Sequence, residues 1–153
     1  MSKTAGGVAK TFVKTQLNGV IHYVFSIKNA PGKRKHNHLE LLGGKIKPGE
    51  HPLQALIREL EEEEANGILA DRIRAQEPEH QNTIQIGKRP YYIFDVSISF
   101  DDYLNIRHSP KESLGFKLVP EPMLKRVDFQ QKLTPRTRTI LKRLAETTTD
   151  EPA

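Results

Sequence analysis

From His51 to Glu64 the chain reads HPLQALIRELEEEE, with Leu53, Leu56, Ile57 and Leu60 at i, i+3, i+4 and i+7. That spacing gathers four apolar side chains into one helical stripe, which must be covered by another layer. Pro52 suits the first helical turn, where a missing N–H is no loss, and Gly67 can adopt the left-handed backbone of a helix exit. The flanking segments supply a covering sheet. Residues 9–17 and 20–27 are rich in Val, Ile, Phe, Tyr and Thr, and the Asn18-Gly19 between them is the dipeptide that a two-residue hairpin turn prefers. Residues 29–38 read as a loop into a short strand at 39–42, and Gly43-Gly44 and Pro48-Gly49 as a tight loop. Further strands are expected at 72–76, 83–86, 90–100 and 114–119, with a turn or short helix at 120–126. Thr134-Pro135 opens a last helix that docks through Ile140, Leu141 and Leu144. Strands on both sides of a central helix predict an α/β or α+β sandwich, one mixed sheet between helices.

Length and composition narrow the function. At 153 residues the chain is expected to be a single domain, 1–153, with loose termini at about 1–8 and 148–153. No apolar run approaches a bilayer span, which predicts a protein of the cytoplasm with no membrane partner. Zero cysteines exclude disulfides, thiolate metal sites and cysteine nucleophiles, so a metal here would be held by oxygen or imidazole. The net charge of +5 is uneven: residues 1–50 carry nine Lys/Arg against two acids, residues 51–100 five against nine. A basic third beside an acidic centre suits a site that grips an anion on one side and cations on the other.

The acids of the centre are concentrated at Glu59, Glu61, Glu62, Glu63 and Glu64. At about 100° per residue, Glu59, Glu62 and Glu63 share one flank of the helix, centred roughly 120° from the apolar stripe. Like charges at i, i+3 and i+4 repel, and acids near a helix C-terminus oppose its dipole. Hard divalent ions would offset both, since they take carboxylate oxygens and keep waters for a phosphate. Glu61 and Glu64 point elsewhere and are expected to be solvated.

The segment GKIKPGEHPLQALIRELEEEEAN, starting at Gly44, resembles the Nudix box of hydrolases that act on nucleoside diphosphates linked to another group. Seven of nine specified positions match: Gly44, Glu50, Arg58, Glu59, Leu60, Glu62 and Glu63. Leu39-Glu40-Leu41 with Gly43-Gly44-Lys45 is also similar to MutT-type members. The pattern departs at its end, where Ala65 and Asn66 replace a glycine and an apolar residue, although Gly67-Ile68 offers that pair two residues later.

The resemblance implies a Nudix-like α/β/α sandwich with a mixed sheet, and Mg²⁺ or Mn²⁺ held by Glu59, Glu62, Glu63 and the Gly43 carbonyl. It implies a salt bridge from Arg58 to Glu50 that fixes loop against helix, and a water-activating carboxylate at Glu59 or in a later loop, for which Glu112 is chosen. Arg34 and Lys45 are candidates for substrate phosphates, and Tyr92 for stacking on a base. The expected reaction is hydrolysis of a phosphoanhydride giving a nucleoside monophosphate. Its substrate would be a small nucleotide (a triphosphate, ADP-ribose, a nucleotide sugar or a dinucleoside polyphosphate) or an RNA 5′ end, and dimers occur in the family. The competing reading is a non-catalytic nucleotide sensor. The isopentenyl diphosphate isomerase branch needs a cysteine that the chain lacks.

Overall fold

The computed structural model describes residues 6–149. In chain order the elements are β1 (Val8–Leu17), β2 (Val20–Lys28), β3 (Leu39–Glu40), β4 (Leu42–Lys45), α1 (Pro52–Glu63), α2 (Ile68–Gln76), β5 (Asn82–Ile86), β6 (Arg89–Ser97), α3 (Phe100–Asn105), β7 (Ser113–Pro120), a 3₁₀ turn (Glu121–Lys125), α4 (Val127–Gln130) and α5 (Pro135–Thr149). The expected hairpin is present, with Asn18 and Gly19 at φ of 53° and 76°.

The strands form one mixed sheet ordered β3-β2-β1-β6-β5, with β4 added to β1 and β7 to β2. Only the β1–β6 pairing among these ladders is parallel. Along β1, residues Val8 to Thr11 pair with β4 and residues Lys14 to Leu17 pair with β2. The sheet therefore divides at the middle of β1, and β4 is carried out to the end of α1. One sheet face buries Ala9, Val13, Phe94 and Val96 against Leu56 and Leu60 of α1 and Leu69 and Ile73 of α2. The other buries Phe25, Leu41, Tyr91 and Ile93 against Phe129, Leu133 and Ile140. This is the expected α/β sandwich.

Four local readings change. Residues 72–76 belong to helix α2 instead of a strand: Leu69, Ala70 and Ile73 are buried at i, i+1 and i+4, a helical spacing that packs on α1. The strand expected to reach residue 100 stops at Ser97, and Phe100–Asn105 is helical, capped by Ser99, whose Oγ accepts from the Asp102 N–H at 2.9 Å. Gly43 and Gly44 lie in strand β4, not in a tight loop, and pair with Lys10 and Ala9. Gly67 is left-handed, at φ 75°, but it precedes α2, while α1 ends at an extended Glu64. At the chain ends, Val8 is already within β1 and α5 runs to Thr149. Residues 1–5 and 150–153 of the expected tails lie outside the described residues.

Candidate active site

Strand β4 and the flank of α1 meet at the two glycines. Gly43 sits at φ 122°, a value that L side chains avoid, and a Cβ there would run into the Ala9 carbonyl. A Cβ on Gly44 would strike the Glu59 carboxylate. Removing both side chains lets α1 press its acids onto the β4 main chain. Glu63 Oε1 accepts a hydrogen bond from the Gly43 N–H at 2.8 Å, and the residue is 8% exposed. Burial pushes its carboxyl up to about 8, against the opposing pull of Lys10 and the Gly43 N–H. Burial also raises Glu59, opposed by the hydrogen bond from Arg58.

Arg58 organises the cluster. Its Nε and Nη2 donate to the two Glu50 oxygens at 2.8 and 3.0 Å, and Nη2 also donates to the Lys45 carbonyl at 2.9 Å. Glu50 is held near 2 by that hydrogen bond from Arg58 and by the Lys47 N–H. Nη1 of Arg58 reaches Glu59 at 3.1 Å and Glu62 at 3.4 Å. The arginine thus ties the residue 45–50 segment to the helix while touching two of the three flank acids. Lys10 supplies the second positive charge: its Nζ donates to the Leu41 and Gly43 carbonyls at 3.2 and 3.3 Å.

The donors here are hard oxygens, three carboxylates and a carbonyl, the set that Mg²⁺ or Mn²⁺ prefers. Two further features fit a cation: a buried carboxylate, Glu63, that accepts one hydrogen bond, and a pair of glycines whose missing side chains let the Glu59 and Glu63 carboxylates lie against the β4 main chain. Among the described residues, no three acidic or imidazole groups already converge as a ready cage. Arg58 draws Glu59 and Glu62 aside, and the Gly43 N–H orients Glu63.

The other expected site residues are spread more widely. The Ser109 N–H donates to the Glu63 carbonyl at 2.9 Å, docking the loop that carries Glu112 on the end of α1. Glu112 itself is exposed. A cleft of about 840 Å³ opens beside Gly44 and Lys45 and runs between β1, β6 and the start of α5. Lys45 lines it, while Arg34 lines a second cavity, of about 430 Å³, on the far side of Lys35. Tyr92 packs on the α1 face in a T-shaped contact with His80. Its neighbour Tyr91 is the tyrosine at the cleft, its Oη accepting from Arg136 at 2.7 Å.

A comparison of the sequence with family models matches a NUDIX domain over residues 17–143. The chain belongs to the Nudix family. Nudix hydrolases are enzymes that act on pyrophosphate bonds. Solved structures of similar fold include a Nudix hydrolase from M. smegmatis, RenU, at 20% identity and TM-score 0.65, with 96% of this chain and 88% of that one covered. DR0079 from Deinococcus radiodurans is 15% identical with TM-score 0.66, covering 90% of this chain and 82% of that one. A C. elegans Ap4A hydrolase is 17% identical with TM-score 0.59, covering 96% of this chain and all of that one, 100%. A comparison with curated proteins gives no match.

The Nudix helix also holds a carboxylate that the face count misplaces. Glu64 is 1% exposed, not solvated. Its oxygens accept from the N–H groups of Asn66 (2.8 Å), Ile68 (2.6 Å), Leu69 (3.2 Å) and Arg107 (3.0 Å). Two of these donors open α2, so the side chain serves as the anion at that helix N-terminus. The substitution of the usual glycine by Ala65 is accommodated here: the turn is closed by a side chain, and the left-handed residue comes later, at Gly67. Glu61 is exposed, paired with Arg74 at 2.8 Å. Lys10 also escaped the sequence reading. The signal for Lys10 was a charge set between Val8 and Phe12, which share a strand face.

Proposed function

We propose that the chain is a divalent-cation-dependent hydrolase that cuts a phosphoanhydride in a nucleoside diphosphate-linked substrate, releasing a nucleoside monophosphate and a phosphorylated partner. The observation that carries this reading is the seating of Glu59 and Glu63 on the Gly43-Gly44 strand, whose Gly44 lines a cleft together with Lys10 and Lys45. Glu59, Glu62, Glu63 and the Gly43 carbonyl would hold Mg²⁺ or Mn²⁺, which when bound polarises the phosphate oxygens and acidifies a coordinated water. Lys10 and Lys45 place positive charge where the transferred phosphate and the leaving phosphate lie, and so offset charge that develops during cleavage. Glu59 orients or deprotonates the attacking water, and Glu112 can enter from the loop that Ser109 docks on Glu63. Arg58 is a positioning residue, since its fork holds Glu50, the Lys45 carbonyl and Glu59 in one arrangement.

The similarity to a C. elegans Ap4A hydrolase keeps dinucleoside polyphosphates among the substrates to test. The test is a hydrolysis screen with Mg²⁺ and Mn²⁺ over nucleoside triphosphates, ADP-ribose, nucleotide sugars, dinucleoside polyphosphates and 5′-triphosphorylated RNA. Cation-dependent release of a monophosphate from one class supports the reading. Inactivity on all of them would overturn it in favour of a nucleotide sensor.

A further inference from the structure

Lys10 stands on β1 between Val8 and Phe12, both of which pack into the core on the α5 side of the sheet. Its carbon stem shares their face, so only the ammonium needs polar partners. It finds them in the main chain on either side of Leu42: Nζ donates to the Leu41 carbonyl at 3.2 Å and to the Gly43 carbonyl at 3.3 Å. The β1–β4 ladder sets Lys10 opposite Gly43, so strand pairing fixes this reach. Carbonyls carry no net charge to neutralise an ammonium. The neighbouring acids do, since the Lys10 charge acts on both Glu59 and Glu63 and draws their carboxyls down against the upward push of burial.

Carbonyl oxygens in contact and carboxylates around them are the company that a hard metal ion keeps. One of these carbonyls, that of Gly43, belongs to the donor set assigned above to Mg²⁺ or Mn²⁺. An ammonium and a divalent ion on the same oxygen would repel at a range too short for water to screen. The two cations are therefore rivals. Of the positive groups at the site, Lys10 is the one free to give way. Arg58 is gripped by the charged Glu50 oxygens at 2.8 and 3.0 Å, whereas the Lys10 bonds go to uncharged acceptors and sit at the long end of the hydrogen-bond range. Lys10 also lines the cleft beside Gly44 and Lys45, so an ammonium that leaves the carbonyl stays over the ground where a phosphate would lie.

We infer that Lys10 is a built-in rival of the divalent ion for the Gly43 carbonyl, and that its ammonium, once displaced from that oxygen, becomes a ligand of the substrate phosphate. This rests on the hydrolase reading and deepens it by giving one residue two successive positions. The consequence is a pair of effects of opposite sign. Lys10 weakens the binding of the metal, and it strengthens the binding of a phosphate to the site that holds the metal. Its charge is thereby delivered to the phosphate only when the carboxylates have their ion.

The experiment measures both effects on the full chain with Lys10→Met, which keeps an unbranched stem and removes the charge, and with Lys10→Gln, which also keeps an N–H donor for the carbonyls. Mn²⁺ binding without nucleotide, followed by electron paramagnetic resonance of the free ion, is expected to tighten about tenfold in both variants. Calorimetry at saturating Mg²⁺ with α,β-methylene-ADP, a diphosphate that cannot be hydrolysed at its bridge, is expected to show about tenfold weaker binding in both. Lys45→Gln removes an exposed charge from the same cleft and serves as the control. It should weaken the analogue yet leave Mn²⁺ affinity within about twofold of wild type. A lysine that merely braced the strand would move both affinities in one direction, or neither. Unchanged or weaker Mn²⁺ binding in the Lys10 variants, equal tightening in Lys45→Gln, or unchanged binding of the analogue would each overturn the inference. The two readings fail apart. Wild-type protein that binds Mn²⁺ and hydrolyses a substrate, with Lys10 variants that bind the ion equally well, would sink this inference alone. Protein that binds no Mn²⁺ with or without Lys10 would sink both.

Discussion

Glu63 and Glu64 are adjacent on α1, both nearly sealed from solvent, and the protein uses them in opposite ways. Glu64 turns toward α2 and Arg107 and accepts four backbone N–H groups, which saturates its oxygens. Glu63 turns toward β4, accepts one N–H, and is pushed by burial up to about 8. A carboxylate filled by main-chain donors has no capacity left for a ligand, so it holds chain to chain. One that is buried and only partly engaged is costly to keep, and the cost is offset when a cation arrives. Saturation therefore separates the acid that only holds chain to chain from the one left with capacity for a ligand; burial, which both share, does not.

Substitution at the two positions should break along that line. Glu63→Gln keeps volume and removes the charge, and is expected to lower Mg²⁺-dependent turnover by about three orders of magnitude with the melting temperature little changed. Steady-state kinetics beside circular dichroism would check it; full activity in the variant would remove Glu63 from the site. Glu64→Gln should do the reverse. Its amide offers an N–H to donors that need an acceptor, so about 3 kcal/mol of stability is expected to be lost, measured by urea unfolding. Turnover per folded molecule should stay near wild type, and a selective loss of activity without destabilisation would contradict the contrast.

The sequence made one of these residues legible and concealed the other for a physical reason. A helical face can be computed from periodicity, which placed Glu59, Glu62 and Glu63 together, and the spacing from Gly44 to Glu63 carried the family. What covers the opposite side of the helix is set by tertiary packing. By its helical face alone Glu64 points to solvent, and nothing local announces the helix that supplies two of its donors: Arg72-Ile73-Arg74-Ala75 alternates like a strand, while the buried set Leu69, Ala70, Ile73 starts upstream of it. Ser99 and Asp102 have the spacing of a capping box, yet they follow so apolar a strand that the start of α3 was absorbed into it. The cationic cleft was legible only in part: Lys45, marked for substrate phosphates, lines it, but Lys10, Lys88, Arg89 and Arg136 converge with it only once β1, β6 and α5 are assembled.

Arg58 tests whether the cluster depends on charge or on shape. Arg58→Lys keeps the charge but loses the planar fork that spans Glu50 and the Lys45 carbonyl. Turnover is expected to fall about tenfold, with a higher Mg²⁺ requirement, because the acids would be less well oriented. Unchanged kinetics would reduce Arg58 to a neutralising charge.

The smallest expected effect lies at the far end of the exit region, where α3 meets α2. Asp102 caps α3 and pairs with Arg72 through both oxygens, at 2.8 and 2.9 Å, and the Arg72 hydrogen bond holds its carboxyl near 2. A carboxylate whose folded value is depressed contributes stability that is complete above its ordinary range and disappears as pH falls through the folded value. Asp102→Asn should therefore lower stability at neutral pH by less than about 1 kcal/mol, since Arg72 is half exposed and screened by solvent. The gap between variant and wild type should close as pH falls from about 4 toward about 2. Thermal melts across that range would show it. A gap that stays constant with pH would mean that Asp102 acts through cap geometry, and that the α2–α3 junction, unlike the Glu63 seam, owes nothing to charge.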